Sequence, residues 1–372
     1  MENLVTSAPS PAYDASFWRG KRVFLTGHTG FKGGWLALWL ASKGATVRGY
    51  ALDPCTTPAL FDAAKIGSLV EDLRGDIRDA AALDRALTGF APEVVFHIAA
   101  QPLVRYSYQD PIGTFETNVI GTARVLDAVR RTPSVRAVVS ITTDKCYENK
   151  EWLWGYRETD PLGGYDPYSS SKACAEIVSA AFRQSYFPVA ALPEHRCAIA
   201  TARAGNVIGG GDWSSDRLIP DLVRGFIEGK APLIRRPDAI RPWQHVLEPL
   251  HGYLLLAERL CSADARYATA FNFGPSEDDA KPVGWIVEKM VGFWGQGASW
   301  IRDPEPGVHE AGYLKLDASR ARAELQWQPR LRLETALEWL VTWYKAHAAG
   351  ADMLAETLNQ ISTYEQLGHR QF

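Results

Sequence analysis

The sequence predicts an α/β protein, a doubly wound parallel sheet with helices on both faces and a smaller mixed α/β lobe toward the C-terminus. Three observations carry this prediction. A short apolar strand near the N-terminus runs straight into a glycine-rich turn and an apolar helix. From there to about residue 205, strand-like and helix-like segments alternate, the pattern of a parallel sheet covered on both faces. The chain has 372 residues, 46% hydrophobic and 22% charged, enough to bury one large or two unequal globular units.

Taken in order, residues 1 to about 15 are expected to be disordered. Arg22–Thr26 (RVFLT) reads as a buried strand, followed by the turn Gly27–Gly33 and a helix through Trp35, Leu36, Leu38, Trp39 and Leu40. Thr46–Leu52 is a second strand ending at Asp53, and Leu69–Leu73 a third, followed by a helix over Ala80–Thr88. Val94–His97 and Val135–Ile141 are the fourth and fifth, with a helix over Pro111–Arg131 between them. A long helix over Tyr168–Tyr186 precedes a sixth strand, Arg196–Ala202. The right-handed crossover rule then favours the doubly wound order. Beyond Asn206 the alternation weakens. A loop at Gly209–Asp212, helices over Arg217–Glu228 and Glu248–Leu260, and a late strand at Phe271–Phe273 are expected. The predicted division is a tail over 1–20, a sheet domain over 21–205 with a return near 245–275, a second lobe over 206–244 and 276–345, and a polar tail over 346–372.

The formal net charge of −3 implies no general attraction to nucleic acid or anionic membrane, so an anionic ligand must be held by local groups. Five scattered cysteines without CxxC or metal-ligand spacing fit reduced thiols, no metal site and a cytoplasmic location. Residues 1–16 have no apolar h-region, and the longest apolar run, near Trp35–Ala41, is too short to span a bilayer. The 13 tryptophans fit either a large core or sugar stacking, and Trp152 and Trp154 are open to both readings.

Gly27, Gly30 and Gly33 stand in a GxxGxxG turn between a strand and a helix. Gly27 permits the turn, Gly30 lets a pyrophosphate approach, Gly33 lets helix and sheet pack, and the helix N-terminus faces the anion. Thr29, Phe31 and Lys32 belong to the same dinucleotide-binding turn. Asp53, twenty residues beyond Gly33, is placed to accept from an adenosine ribose and to repel a 2′-phosphate, favouring NAD. Lys32 argues the other way, since a basic residue in the turn suits NADP. Asp76 and Ile77, after the third strand, are placed to meet the adenine. Tyr168 and Lys172 lie four residues apart on a helix and share one face. An adjacent ammonium favours phenolate and is expected to bring the tyrosine from ~10 toward neutral, making a general base.

These features together resemble the extended short-chain dehydrogenase/reductase (NAD-dependent epimerase/dehydratase) superfamily over roughly residues 21–343, which implies a Rossmann sheet with a C-terminal substrate lobe. The resemblance places Ala99, Ala100 and Gln101 of His97-Ile98-Ala99-Ala100-Gln101 against the cofactor. Asn118 matches a family helix asparagine, Thr143 the catalytic Ser/Thr, and Arg203 the start of the segment passing from nicotinamide to substrate. Within the superfamily, the blocks Gly27–Gly33, Thr143–Tyr147, Asn206–Trp213 and Arg241–Val246 resemble the sugar-nucleotide 4,6-dehydratases that act on CDP-glucose.

Such an enzyme oxidises C4, removes a proton from C5, expels the C6 hydroxyl and returns the hydride to C6. The resemblance implies Tyr168 as the base at C4, Thr143 as a hydrogen-bond donor to the C4 oxygen and Asp144 as the acid at C6. An aspartate beside Lys145 is ordinarily driven toward ionisation, so a protonated Asp144 needs a further cause. Most of these dehydratases read Thr-Asp-Glu where this chain reads Thr143-Asp144-Lys145. Lys145 is therefore either a neutral-amine base for C5 or a charge that holds Asp144 or the substrate. Asn206, Arg217, Arg241 and His245 are the candidates for the sugar diphosphate, because arginine supplies bidentate donors. A homodimer built on the Asn118 and Tyr168 helices is also implied. A 4-epimerase on the same scaffold is the alternative activity, and a non-catalytic NAD-binding regulator a more distant one.

Overall fold

A computed structural model of the chain describes residues 15–262, 264–295, 297–304 and 312–369. The described residues form twelve strands. In chain order they are β1 (Arg22–Thr26), β2 (Thr46–Ala51), β3 (Glu71–Arg74), β4 (Val94–His97), β5 (Ala137–Ile141), β6 (Ala198–Ala204), β7 (Asn206–Ile208), β8 (Leu233–Ile234), β9 (Ile240–His245), β10 (Ala270–Phe273), β11 (Ala280–Pro282) and β12 (Ile301–Arg302). Seven of them make one sheet in the order β10-β6-β5-β4-β1-β2-β3, with every neighbouring pair parallel. β4, β5 and β6 are buried at every residue, which is why they read as continuous apolar runs rather than alternating ones. The strand order reverses between β1 and β4, and an open α/β sheet has its crevice at that point.

Each face of the sheet has its own core. Helix Phe31–Ser42 and helix Leu247–Cys261 cover one face with Trp35, Leu38, Leu250 and Leu254. The first of these helices is apolar nearly all round and buried from Gly33 to Leu40, because a further layer packs outside it. Helices Ala80–Phe90, Gly121–Arg130 and Pro167–Ser185 cover the other face, where Phe24, Tyr50, Leu83, Val95 and Val125 meet. The remaining strands form the three-stranded β11-β9-β7 and the pair β12-β8. With helices Leu218–Ile227, Val283–Trp294 and Leu333–Ala348, they supply the mixed α/β region beyond β6.

Several boundaries differ from expectation by one to three residues, as helix and strand ends do when packing rather than propensity sets them. The helix expected over Pro111–Arg131 is interrupted by a π-helical stretch at Glu116–Ile120. Both expected tails need correction. Residues 1–14 lie outside the described residues, but Trp18 is fully buried and donates from Nε1 to Glu258 at 2.8 Å. Beyond Gly350 stands a helix, Met353–His369, whose Ile361 and Tyr364 are buried against the first helix layer.

Candidate active site

A cavity of about 930 Å³ runs along the C-terminal ends of β1, β2, β4 and β5 and under the region beyond β6. It sits at the upper end of the size range for small-molecule sites. At one end lies the glycine turn. Gly27 has a φ of +81°, and a Cβ there would stand 2.7 Å from the Ala99 amide nitrogen. A Cβ on Gly33 would stand 2.1 Å from the Gly27 carbonyl oxygen. Gly30 is different: a Cβ would meet only that same carbonyl, at 3.5 Å. The first two glycines are needed by the protein's own packing, whereas Gly30 leaves open the space above the turn. No side chain caps the helix that starts at Phe31, so its first N–H groups are left for an anion.

From the turn the cavity extends past Thr29, whose Oγ1 donates to the Leu52 carbonyl at 2.9 Å, to Asp53, Asp76, Ile77, Ala99 and Ala100. The Asp53 carboxylate is 89% exposed, with the Arg74 guanidinium 3.5 Å away. The Arg78 guanidinium binds Asp76 at 2.7 Å and holds its carboxyl below the usual range.

Lys32 points the other way. Its ammonium lies 5.9 Å from the centre of the Tyr253 ring. Burial, with the nearby charges of Arg217 and Lys172, lowers its proton affinity to about 7 against the opposing pull of Asp144. The argument that Lys32 offered for NADP over NAD therefore loses its support. A helix residue points its side chain back along its own axis, and here the ammonium ends beside the Tyr253 ring.

At the far end, β5 delivers Thr142 to Lys145. The backbone leaves the strand in a short 3₁₀ turn over Asp144–Cys146, capped by the Thr143 side chain. Thr143 Oγ1 donates to Asp144 Oδ1 at 3.0 Å. Asp144 is 1% exposed, and its Oδ2 has no hydrogen-bond partner among the described residues. Burial raises its proton affinity despite the opposing Lys145 and Arg241 charges and the Thr143 bond. This is the cause that a protonated Asp144 needed: desolvation outweighs the neighbouring cation.

The facing helix begins at Pro167 after an Asp166 cap that accepts from the Ser169 amide at 2.9 Å, presenting Tyr168 and Lys172 to the cavity. Lys172 Nζ donates to the Ile141 carbonyl at 3.2 Å, and burial lowers its proton affinity to about 8. Tyr168 is pushed up to about 12 by burial, with the Thr143 hydroxyl and the Arg217 charge pulling down. The expected drop toward neutral is thus corrected. Lys172 is anchored on the strand carbonyl, so desolvation of the phenolate outweighs the cations nearby.

The second lobe closes the cavity with Asn206 on β7, Arg217 and Arg241. Arg217 pairs with Asp212 at 2.9 Å. Arg235 and Arg236 also reach the wall.

Four expected residues are not on the wall. Gln101 and Asn118 bond to each other's backbone or side chain at 2.8 and 3.0 Å, and Asn118 also donates to Ser171 at 2.8 Å. They brace the loop after β4. Arg203 is buried in an ion pair with Glu176 at 2.8 Å. His245 packs edge-on between Trp35 and Trp339, and burial lowers it to about 3. Odd and even residues of a strand face opposite sides; Arg241 and Trp243 reach the cavity while Gln244 does not, and His245 is lost to the core as β9 ends. Trp152 packs at a tilt against Trp154 and Tyr156 outside the cavity.

No local signal pointed to the Arg105–Asp216 pair at 3.0 Å, which joins two segments of the wall 111 residues apart. Asp166, by contrast, was readable from Asp-Pro at a helix start.

The family model for the NAD dependent epimerase/dehydratase family matches residues 23–272. The chain belongs to this family. A curated CDP-glucose 4,6-dehydratase of Salmonella typhimurium is 54% identical over 351 residues, covering 94% of this chain and 98% of that protein. A dTDP-glucose 4,6-dehydratase of Xanthomonas campestris is 27% identical, covering 86% and 92%. Among solved structures, the dTDP-glucose 4,6-dehydratase of Bacillus anthracis in complex with NAD aligns at a TM-score of 0.72 and 22% identity over 90% of this chain and all of that one. The UDP-glucose 4-epimerase of Thermotoga maritima aligns at 0.74 and 20% over 88% and 99%. These two likenesses establish the Rossmann-type fold.

The cavity fits the family's cofactor. The open space over Gly30, the uncapped helix start and the exposed Asp53 carboxylate just beyond β2 suit a dinucleotide, and Thr29, Gly30, Phe31, Asp76, Ile77, Ala99 and Ala100 line the same cavity.

Proposed function

We propose that this protein is a nucleotide-sugar 4,6-dehydratase that converts CDP-glucose to CDP-4-keto-6-deoxyglucose with NAD recycled internally. The observation that carries the reading is the buried Asp144 carboxyl beside Thr143, on the same cavity as Tyr168 and Lys172. A 4-epimerase needs the tyrosine and threonine but has no use for such an acid. The relative named for CDP-glucose, at 54% identity, supports cytosine as the base. Asp53 supports NAD over NADP.

Bound NAD would supply oxidation at C4 and reduction at C6. Tyr168 takes the C4 hydroxyl proton, with Arg217 and Thr143 favouring its charged form. Thr143 holds the C4 oxygen, and Asp144, kept protonated by burial, releases its proton to the departing C6 oxygen. Lys145 lies next to Asp144 at the cavity as the candidate base for C5, which requires its neutral amine; the ammonium so formed gives the proton back to C5 as the hydride returns to C6. Lys172 fixes the backbone at the end of β5. Asn206, Arg217 and Arg241 would receive the diphosphate.

The second lobe comprises the regions around 206–244 and 276–345. A homodimer is supported by Ile112, Ile120, Ile177 and Tyr186, all exposed on the two helices concerned. Five free cysteines support a cytoplasmic location, and no helix among the described residues is long and apolar enough to cross a membrane.

Incubation with CDP-, dTDP-, GDP- and UDP-glucose followed by mass spectrometry tests the reading. Loss of one water from CDP-glucose, with C4 deuterium recovered at C6, is expected. Deuterium returned to C4 without water loss would replace the dehydratase by the epimerase.

A further inference from the structure

Glu176 stands one helical turn beyond Lys172, as Lys172 stands one turn beyond Tyr168, so the three share a face. It does not reach the cavity, yet it is 4% exposed and fully engaged. Its carboxylate accepts from Thr142 Oγ1 at 2.5 Å, Thr201 Oγ1 at 2.7 Å and Arg203 at 2.8 Å. Arg203 is held in turn by the Tyr147 hydroxyl at 2.7 Å and the Glu158 carbonyl at 3.2 Å.

The helix therefore grips consecutive residues of the β5 terminus: Lys172 binds the Ile141 carbonyl, and Glu176 binds Thr142. Thr143 and Asp144 come next. A buried ion pair is a poor stability device, because desolvation cancels much of its attraction. A functional reason for keeping one beside the site is the more economical reading. We propose that Glu176 is a positioning residue, anchored by Arg203, that fixes the strand end presenting Thr143 and Asp144 and sets a carboxylate one helical turn from Lys172.

The charges around Lys172 support this. On the turn after β5, Cys146 is kept a thiol by burial, and on β4, His97 is kept neutral by burial. Lys32, on the first helix, is a like charge. Glu176 itself stays ionised: burial works against its charge, and Arg203 with the two threonines more than offsets it. Among these groups the negative charge acting on Lys172 is that of Glu176.

The inference rests on the dehydratase reading only for its turnover arm. Two readouts are compared in wild type, Glu176→Gln/Arg203→Met (which leaves no orphaned charge) and Thr201→Val (which removes one hydrogen bond but no charge). The first is pH-dependent acylation of Lys172 followed by peptide mass spectrometry, which needs no substrate. The second is the pH profile of kcat on CDP-glucose. In the double variant, Lys172 should lose its proton at a pH lower by about one unit, a tenfold change in proton concentration. The alkaline limb of kcat should move with it while KM stays within about twofold, and Thr201→Val should leave both profiles in place.

An unmoved Lys172 profile in the folded double variant, or an equal movement in Thr201→Val, would overturn the proposal. Should the double variant not fold, Glu176→Asp withdraws the charge by one methylene, and the profile must then move part of the way. If wild type turns over no CDP-glucose, the dehydratase reading fails while the labelling arm still decides the coupling.

Discussion

Asp144 is costly to the fold. A buried carboxyl oxygen without a partner carries a desolvation penalty on the order of 1–3 kcal/mol. Asp144→Asn should keep or raise the melting temperature while lowering water elimination by roughly 10²–10⁴, checked by thermal melts beside product mass. Because the acid works protonated, wild-type elimination should fall as pH rises through its elevated value. Tyr168→Phe should fold normally and lose about a hundredfold or more in turnover, read from initial rates. Lys32, with a proton affinity near 7, should couple diphosphate binding to pH. NAD affinity by calorimetry should weaken from pH 6 to 8, and Lys32→Met should flatten that slope. The cavity residues were legible where a local spacing carried them: the glycine turn, the i, i+4 pair, Thr143-Asp144-Lys145. Arg203 and His245 were misread because a sequence does not say which side of a strand end a side chain leaves from. Glu176 continued the same four-residue spacing, so its signal was present.

At the scale of elements, the helix Met353–His369 is the largest departure from expectation. Its average polarity suggested a tail, although Met353, Thr357, Ile361 and Tyr364 recur at helical spacing and are buried. Tyr364 donates to Glu248 at 2.8 Å, and Glu248 also accepts from the Arg330 and Leu331 amides. Truncating Tyr364 to Ala should cost about 3–5 kcal/mol, measured by denaturant unfolding. Glu248 is pushed up to about 7 by burial, against ~4.3 in an unfolded chain. Its contribution is complete below the unfolded value and is lost as pH rises through about 7. The melting temperature of wild type minus that of Glu248→Gln should therefore fall between about pH 4.3 and about 7 and level off above that. The π-helical stretch at Glu116–Ile120, which carries the buried Asn118, had no sequence signal.

For the whole molecule, the doubly wound order was legible because each strand–helix unit carries its own apolar period and crossovers have one hand. The lobe beyond β6 was less so, since its strands of two to six residues are held by long-range pairing. A dimer formed through Ile112, Ile120, Ile177 and Tyr186 should show twice the chain mass by light scattering, and Ile177→Asp should shift it toward the monomer. The glycine turn has an implication for ancestry. Gly27 and Gly33 are demanded by neighbouring backbone atoms, so a descendant that had lost all chemistry would still have to retain both in order to fold. The fingerprint is thus a record of descent, and only its middle glycine testifies that a ligand is still being received.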